Sequence, residues 1–384
     1  MERPNRGTAI LGIGTTVPPH RLDQEETFER LADSLVDHEE AARWARRIFK
    51  YCGVETRYTC EPNLLQPAHK NKYYPSEQAA GDTPTTADRM VLYQRECVPL
   101  AMNAARKALA DSNVNVTDIT HLITVSCTGF YLPGLDVALI QNLGLPANVN
   151  RMPLTFLGCA AGLTAIRLSK EIIAGNSQAK VLIVCVELCT IHIQASYKRE
   201  DLFATAFFGD GASACIVGEA HSAMHHGSGL FFLRNSHTAI FPHSVEEMVW
   251  KVGNYGFNLY LSPKIPKLIS QFVPTEIEYL LDNAPVPDLW AIHPGGRGII
   301  DAVQTMYGLT DVQTRGSRAV LRRFGNLSSA TILFVLQELR EELTDIADGA
   351  KEGIALAFGP GLNAELLRMT YTPPVKRSKE VTHV

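Results

Sequence analysis

The 384-residue chain lacks any run of about eighteen apolar residues, and it lacks an excess of charge of either sign. The first absence argues against a membrane-spanning helix. Lys and Arg number 36 against 40 Asp and Glu, and the net charge of −4 gives no reason to expect nucleic acid or a membrane surface as a partner. The opening segment MERPNRGTAILGIG also lacks the basic region and long apolar stretch of a signal peptide. We therefore expect a cytoplasmic protein.

Paired cysteines and metal-binding spacings are also missing. Eight cysteines are scattered along the chain, which fits reduced thiols better than a disulfide framework. Cys185 and Cys189 are spaced C-x-x-x-C, but no second pair or histidine partner follows, so no metal site is predicted. The segment GIGTTV resembles the start of a dinucleotide fingerprint, but Val17 stands in place of its third glycine and Pro18 blocks the required helix. No bound cofactor is predicted.

Apolar runs alternate with stretches of helical periodicity. Buried strands are predicted at 8–14, 121–127, 180–187, 212–219, 289–293 and 353–359. Helices are predicted at about 23–50, 93–112, 135–144, 160–175, 264–282, 298–307 and 328–344. This alternation favours a layered α/β fold. Residues 61–90 carry four prolines and little periodicity, and they are expected to form a long surface excursion.

The order of elements is duplicated along the chain. A strand ending at Cys127 leads to a helix at Cys159, and a strand ending at His293 leads to a helix near Asn326. We therefore predict two similar halves that share one core, residues 1–225 and 226–384.

The segment TFLGCAAGL, residues 155–163, places Cys159 where a buried stretch meets a helix. Free backbone N–H groups and the helix dipole at such a position favour thiolate over thiol. Small neighbours leave room for a ligand to approach the sulfur. A buried structural cysteine is the alternative, and Cys159 alone does not decide between the two.

Two further residues complete a set that can perform acyl transfer. A nucleophilic thiol needs a base within hydrogen-bond reach, and His293 in AIHPGGRG stands at the end of a buried strand before a glycine-rich turn. Asn326 in RRFGNLSSATI stands at a helix entrance, where its amide can donate hydrogen bonds. Taken singly, His293 could equally be a satisfied core residue and Asn326 an ordinary N-cap.

The motifs GCAAG, HPGG, GN-x-SSA and FGPG follow one another along the chain, and FFGDGASACIVG lies between the first two. This order resembles the type III polyketide synthases, the chalcone synthase-like branch of the thiolase superfamily, over residues 8–371. The resemblance implies a five-layered αβαβα thiolase fold, a homodimer, and acyl-CoA and malonyl-CoA as substrates. It also implies that Cys159 carries the acyl chain while His293 and Asn326 stabilise the enolate formed when malonyl-CoA loses CO₂.

CoA phosphates require a basic entrance, which the resemblance assigns to the helix before Cys52. Arg47 and Lys50 match two CoA-contacting positions of the family, whereas Val54 stands where plant members carry a third lysine. Arg57, like Arg46, is a candidate to compensate for it.

The entry to the cavity is assigned in the same way. Gly296 and Gly298 are expected to let backbone N–H groups approach the CoA arm. Phe208 matches the gatekeeper phenylalanine of the family. Counting back from Ile265-Pro266 places the second gatekeeper at Leu259, although a small slip in register would give Phe257.

The expected cavity lining differs from that of plant chalcone synthases. Cys127 and His192 replace threonines, and Leu132 replaces a methionine that reaches into the cavity of the partner; this pattern resembles microbial members that accept aliphatic starters. Glu187 and Ser328 match two members of a hydrogen-bond network that promotes aldol closure, in which Cys127 replaces the threonine. A thiol is a weak donor, so lactone closure to an alkyl pyrone is favoured over a resorcinol.

Three alternatives remain open from the sequence. One is a chalcone- or stilbene-type synthase with an aromatic starter. A second is a ketoacyl-carrier-protein synthase III, against which HPGG and FGPG argue. The third is a non-catalytic binding protein with a thiolase fold, which the three intact chemical residues oppose.

Overall fold

A nine-stranded mixed sheet runs through the computed structural model, which describes residues 6–74, 83–194, 196–221, 228–346 and 349–374. The strands are β1 (Arg6–Thr16), β2 (His20–Asp23), β3 (Thr56–Thr59), β4 (His121–Ser126), β5 (Asn150–Thr155), β6 (Lys180–Leu188), β7 (Asp210–His221), β8 (Leu230–Ile240), β9 (Met248–Gly253), β10 (Gly256–Leu261), β11 (Leu289–Ile292), β12 (Lys351–Gly359) and β13 (Asn363–Thr372). The helices are α1 (Gln24–Asp33), α2 (Glu39–Tyr51), α3 (Thr86–Ser112), α4 (Leu135–Leu143), α5 (Ala161–Gly175), α6 (Arg199–Phe207), α7 (Ile265–Leu281), α8 (Arg297–Tyr307), α9 (Asp311–Phe324) and α10 (Thr331–Ile346).

The large sheet has a narrow junction in its middle. Its order is β11-β12-β13-β8-β1-β7-β6-β4-β5, and β1 meets β8 through only two residue pairs, Ala9 with Phe232 and Ile10 with Phe231. On one side of the junction β4 runs parallel to β5 and β6, and on the other β11 runs parallel to β12. The sheet therefore consists of one group of five strands and one group of four.

Helices cover both faces of each strand group. In β6, Val181 and Ile183 pack towards α5 and α10, whereas Leu182 and Val184 pack towards α3 and α4, because successive side chains point to opposite faces. In β11, Leu289 and Ala291 pack towards α5 and α10, whereas Trp290 packs on the opposite face towards α7 and α8. The order of layers is thus α3/α4, sheet, α5/α10, sheet, α7/α8, which confirms the predicted five-layered αβαβα arrangement.

Several element predictions were wrong. The helix predicted at 23–50 is two helices, α1 and α2, and α3 begins at Thr86 because Thr85 and Asp88 form a capping box. The surface excursion predicted at 61–90 is partly core, since Tyr73 and Tyr74 are 2% and 1% exposed. The predicted boundary between residues 225 and 226 lies outside the described residues.

Beyond these, the helices α6 and α9, the β9–β10 hairpin, and the strands β2, β3, β8 and β13 were not predicted at all. Among the described residues, no helix is long and apolar enough to cross a bilayer.

Candidate active site

Cys159 is held at the entrance of α5 by a tight turn. The chain leaves β5 and passes through Phe156 and Gly158, with φ of +60° and +63°, into the 3-10 turn Gly158–Ala160. A Cβ on Gly158 would lie 2.2 Å from Cδ of Pro360, so only glycine lets the FGPG loop approach the turn this closely. The sulfur is consequently fixed where the two turns meet.

Asn326 and Ser328 come from the corresponding turn before α10. The Asn326 N–H donates to the Phe207 carbonyl at 2.8 Å, which fixes the backbone. The Ser328 N–H donates to Asn326 Oδ1 at 2.8 Å, so the amide Nδ2 faces away as a donor. Asn326 Nδ2 lies 3.9 Å from the Cys159 sulfur and 3.4 Å from the Gly295 carbonyl oxygen. The structure thus brings Cys159 and Asn326 together across 167 residues of sequence.

Close contact between α5 and the turn before α10 allows Cys159 and Asn326 to lie near each other. A Cβ on Gly162 would lie 2.4 Å from the Ser329 carbonyl oxygen. The Ser328 hydroxyl lies 3.7 Å from the Cys159 sulfur and 3.1 Å from the Cys127 sulfur, so it bridges the two thiols.

His293 lines the same cavity as Cys159 from the end of β11. Its backbone N–H donates to the Leu356 carbonyl at 2.8 Å, which continues the pairing of β11 with β12. The ring is buried, and among the described residues neither ring nitrogen has a hydrogen-bond partner. Burial lowers the pKa of His293 to about 3, so the imidazole is neutral. The expected hydrogen bond between base and thiol is not formed in this geometry.

Burial also controls Cys159, whose pKa it raises to about 11; hydrogen bonds with Ser328 and Asn326 offset part of the rise. The helix N-terminus was expected to favour the thiolate, but in the free site it does not by itself keep this thiol ionised. Cys159 lies in the 3-10 turn ahead of α5, and the loss of water around the sulfur is the largest cause of its raised pKa. A thiolate here requires a counter-charge.

Glu187 lies behind the thiols, fully buried at the end of β6. Its carboxylate accepts hydrogen bonds from Thr128 Oγ1 at 2.7 Å, from the Cys127 N–H at 3.1 Å and from the Ser329 hydroxyl. Burial raises the pKa of Glu187. Glu187, Cys127 and Ser328 therefore form one chain of contacts, as predicted from the sequence, whereas Thr128 and Ser329 were missed.

The catalytic candidates open into a cavity of about 700 Å³. It is lined by Cys127, Cys159, His293, Asn326 and Ser328 together with mainly apolar side chains, namely Trp44, Ile48, Phe203, Phe207, Phe208, Met248, Trp250, Leu259, Leu261, Ile265 and Phe358. A cavity of this size with a few convergent polar groups is typical of a small-molecule site.

The predicted CoA residues divide into two groups. Gly296 and Gly298 line the cavity, whereas Arg47 and Lys50 are exposed on α2, which lines the cavity through other side chains. Arg57 does not compensate for Val54: it is fully buried and donates to the carbonyl oxygens of residues 205 and 208 at 2.6 and 2.8 Å. Arg297 and Arg199, which were not predicted, line the cavity instead.

Three predicted substrate contacts have distinct positions. Leu259 lines the main cavity, whereas Phe257 lies behind it, stacked on His192 at 4.1 Å between ring centroids. The prediction that His192 lines the main cavity is therefore wrong. His192 lines a smaller cavity of about 30 Å³. Leu132 is 95% exposed on the surface and lies apart from the cavity of its own chain.

All eight cysteines are free thiols. Within the described ranges, no group of three or more His, Cys, Asp or Glu side chains is arranged to hold a metal ion.

The chain matches known families along most of its length. Residues 1–221 match the N-terminal domain of chalcone and stilbene synthases, and residues 233–372 match the C-terminal domain. The alpha-pyrone synthesis polyketide synthase-like protein Pks18 of Mycobacterium tuberculosis is 30% identical over 366 residues, which cover 94% of this chain and 91% of that protein. Type III polyketide synthase 21 of Oryza sativa is 32% identical over 369 residues, covering 94% and 93%.

Solved structures agree with these matches. The polyketide synthase PKS-I of the brown alga Ectocarpus siliculosus superposes with a TM-score of 0.86 at 27% identity, covering 96% of this chain and 99% of that one. The fungal type III polyketide synthase ORAS superposes with a TM-score of 0.83 at 27% identity, covering 94% and 99%.

Proposed function

The chain belongs to the chalcone and stilbene synthase family and is a type III polyketide synthase, an acyltransferase, and we propose that it extends a medium- or long-chain fatty acyl-CoA with malonyl-CoA to an alkyl pyrone. One observation carries this proposal: Cys159, His293 and Asn326 open together into a large, mainly apolar cavity. Each alkyl methylene buried there contributes about 0.8 kcal/mol to binding.

The reaction begins with acyl transfer to Cys159. His293 takes the proton from the sulfur, the thiolate attacks the acyl-CoA carbonyl, and the CoA thiolate leaves with the proton from the imidazolium. Since burial opposes either charge alone, the thiolate and the imidazolium form together.

Chain extension follows from loss of CO₂ by malonyl-CoA. The electron pair of the broken C–C bond forms an enolate, whose oxygen accepts hydrogen bonds from His293 and from Asn326 Nδ2. The Ser328 N–H holds Asn326 Oδ1, which supports this role because the amide then has one possible orientation. The enolate carbon attacks the acyl-Cys159 thioester, and the thiolate leaves.

We propose that the ring closes when an enol oxygen of the polyketide chain attacks the thioester carbonyl. An aldol route needs water activated beside Glu187, Cys127 and Ser328 to cleave the thioester. Burial raises the pKa of Cys127 well above its ordinary value, so this group is a neutral thiol and a weak donor. Attack of an enol oxygen on the thioester carbonyl, which gives a lactone and releases the thiol, needs none of these groups. The name of the mycobacterial relative also refers to alpha-pyrone synthesis.

We further propose a cytoplasmic homodimer that uses neither a metal nor a bound cofactor. The thiols of all eight cysteines are free, which supports a reducing compartment. Exposed Leu132, Phe130, Phe156 and Leu157 support an apolar contact surface.

The roles are tested with two variants and a set of acyl-CoAs. Cys159→Ala should abolish polyketide formation while retaining some malonyl-CoA decarboxylation, and Asn326→Ala should slow decarboxylation by about 10²-fold. Mass spectrometry of products from C8–C18 acyl-CoAs and one aromatic starter should show alkyl pyrones. Products from Cys159→Ala at the normal rate would contradict the nucleophile, and faster turnover of the aromatic starter would contradict the substrate class.

A further inference from the structure

The turn that follows Asn326 has an uncommon backbone conformation. Ser328, the first residue of the 3-10 turn Ser328–Ala330, has a φ of +48°, in the left-handed region that residues other than glycine seldom adopt. At the corresponding place before α5, the turn Gly158–Ala160 begins with a glycine, which adopts its φ of +63° without strain. The turn before α10 therefore needs an interaction that holds a strained serine in place.

The orientation of the Asn326 amide depends on this conformation. Asn326 Oδ1 accepts the Ser328 N–H at 2.8 Å, and the backbone of the turn sets the direction of that N–H. With Oδ1 held, Nδ2 lies 3.9 Å from the Cys159 sulfur. A change in the turn would therefore move the amide group that acts as the donor.

Thr331, the first residue of α10, connects the two ends of the turn through its side chain. Its hydroxyl oxygen accepts the Leu327 N–H at 2.9 Å, and its hydrogen is donated to the Ser328 carbonyl oxygen at 2.8 Å. Asn326 Oδ1 lies 3.4 Å from the same hydroxyl. Because Thr331 is fully buried, bulk water cannot replace these hydrogen bonds.

The two halves of the molecule differ at this position in a consistent way. The first residue of α5 is Ala161, which has no hydroxyl, and the turn before it begins with Gly158. The first residue of α10 is a threonine, and the turn before it begins with Ser328. The hydroxyl is thus present in the half whose turn is strained.

We propose that Thr331 is a positioning residue for the decarboxylation of malonyl-CoA. Its hydroxyl holds the left-handed turn at Ser328, and the turn holds the Asn326 amide towards the enolate oxygen. Thr331 does not line the main cavity, so it acts through Asn326 and not on the substrate. This inference rests on the proposed function, because it takes Asn326 to be a donor to the enolate.

Thr331→Val keeps the shape of the side chain and removes both hydrogen bonds. The kcat for decarboxylation of malonyl-CoA, followed by acetyl-CoA formation, should fall by about tenfold or more, because loss of a complete oxyanion donor lowers kcat by about 10²–10³-fold. The KM for malonyl-CoA should change by less than about twofold, since the displaced amide acts on the enolate and not on bound CoA. Thr331→Ser keeps the donor and the acceptor and should recover kcat to within about threefold of the wild-type value.

Ser213→Ala is the matched control. The Ser213 hydroxyl is buried and donates to the Ala330 carbonyl oxygen at 2.9 Å, so this variant removes a buried hydrogen bond from the same turn without removing one from Ser328 or Asn326. Its kcat for decarboxylation should be unchanged. A loss equal to that in Thr331→Val would overturn the proposal, because general loosening of the turn would then explain both.

Acylation of Cys159 by C8–C18 acyl-CoAs, measured by mass spectrometry of the intact protein, counts the correctly folded sites. Decarboxylation rates are expressed per site that can be acylated, so a variant that folds in low yield still gives a result. If Thr331→Val gives no such sites, Thr331→Ala removes the same hydroxyl with less bulk and should show the same loss.

The outcomes separate the proposed function from the role of Thr331. Wild-type protein that neither acylates Cys159 nor decarboxylates malonyl-CoA contradicts the proposed function itself. A normal rate per site in Thr331→Val overturns only the role of Thr331, as does a loss that Thr331→Ser fails to restore, because the methyl group would then be responsible. A loss of kcat that Thr331→Ser restores supports the proposal.

Discussion

At the scale of single residues, the side chains of Cys159 and His293 both favour their neutral forms, since Cys159 is partly buried, His293 is fully buried, and neither has a charged partner in the free site. Burial raises the pKa of Cys159 to about 11 and lowers that of His293 to about 3. Moving one proton from the sulfur to the imidazole leaves the total charge unchanged and gives each new charge a counter-ion. In the proposed mechanism the reactive thiolate therefore depends on His293 for its counter-charge.

His293→Gln should shift the reactivity of Cys159 to higher pH. Without the imidazolium, only burial and neutral hydrogen bonds act on the thiol, so its pKa should approach about 11. The inflection for wild-type protein should lie more than one pH unit lower, because a neighbouring cation stabilises the thiolate. The rate of iodoacetamide alkylation, followed by peptide mass spectrometry from pH 5 to 10, should rise at lower pH in the wild-type protein, whereas the variant should not complete its inflection within this range. Coincident profiles would show that His293 does not activate the thiol.

The motifs were sufficient to predict Cys159, His293 and Asn326, but not the hydroxyl groups that hold the neighbouring Glu187. Thr128 and Ser329 bind Glu187 from distances of 59 and 142 residues along the chain. The sequence does not indicate which buried carboxylate a given hydroxyl side chain will contact. Ser329 lies within GN-x-SSA, and this was the one available signal.

At the scale of elements, the turn that carries Cys159 depends on its close approach to the FGPG loop. Gly158→Ala should lower the free energy of unfolding by about 2 kcal/mol or more, because it combines a positive φ with a Cβ 2.2 Å from Pro360. Product formation should fall as well, since the displaced turn moves the sulfur away from Asn326.

A matched control lies at the other end of the same helix. Gly175→Ala adds a Cβ that meets nothing within 4 Å and should be neutral or stabilise the protein by about 0.5–1 kcal/mol. Urea denaturation and product assays compare the two variants. Equal stability of both would show that the approach of Pro360 does not constrain the turn.

Strands that are unbroken apolar runs were easier to predict than strands interrupted by polar residues, such as the largely buried β13, which was missed. Strands such as β6 read as unbroken apolar runs because both of their faces are covered. The β9–β10 hairpin mixes buried and exposed residues over short strands, so its pattern was not distinct from that of a loop. The helix α9 was overlooked although Thr310 and Gln313 form a capping box, which is a recognisable start signal.

At the scale of the whole molecule, the two-half organisation explains why the site could be predicted across such distances in sequence. The 3-10 turns before α5 and α10 lie at corresponding places in the two halves, and both helices pack in the central layer. A motif recognised at each helix entrance therefore predicts one shared site. The layers do not fix the size of the cavity, which depends on the side chains that line it.

The surface around Leu132 bears on assembly, because Leu132 is 95% exposed and lies in a loop with half-exposed Phe130, whose ring is 6.1 Å from that of Phe156. In a homodimer that buries this patch, Leu132→Asp would place a charge without a partner in an apolar contact and should produce monomers at micromolar concentration. Tyr279→Asp, on α7 in the opposite outer layer, changes an exposed residue (69%) and should leave the dimer intact. Light scattering measures the mass of each variant. A stable wild-type monomer, or a Leu132 variant that stays dimeric, would exclude this surface as the interface, whereas loss of both dimer and activity would indicate that the loop contributes to the cavity of the partner.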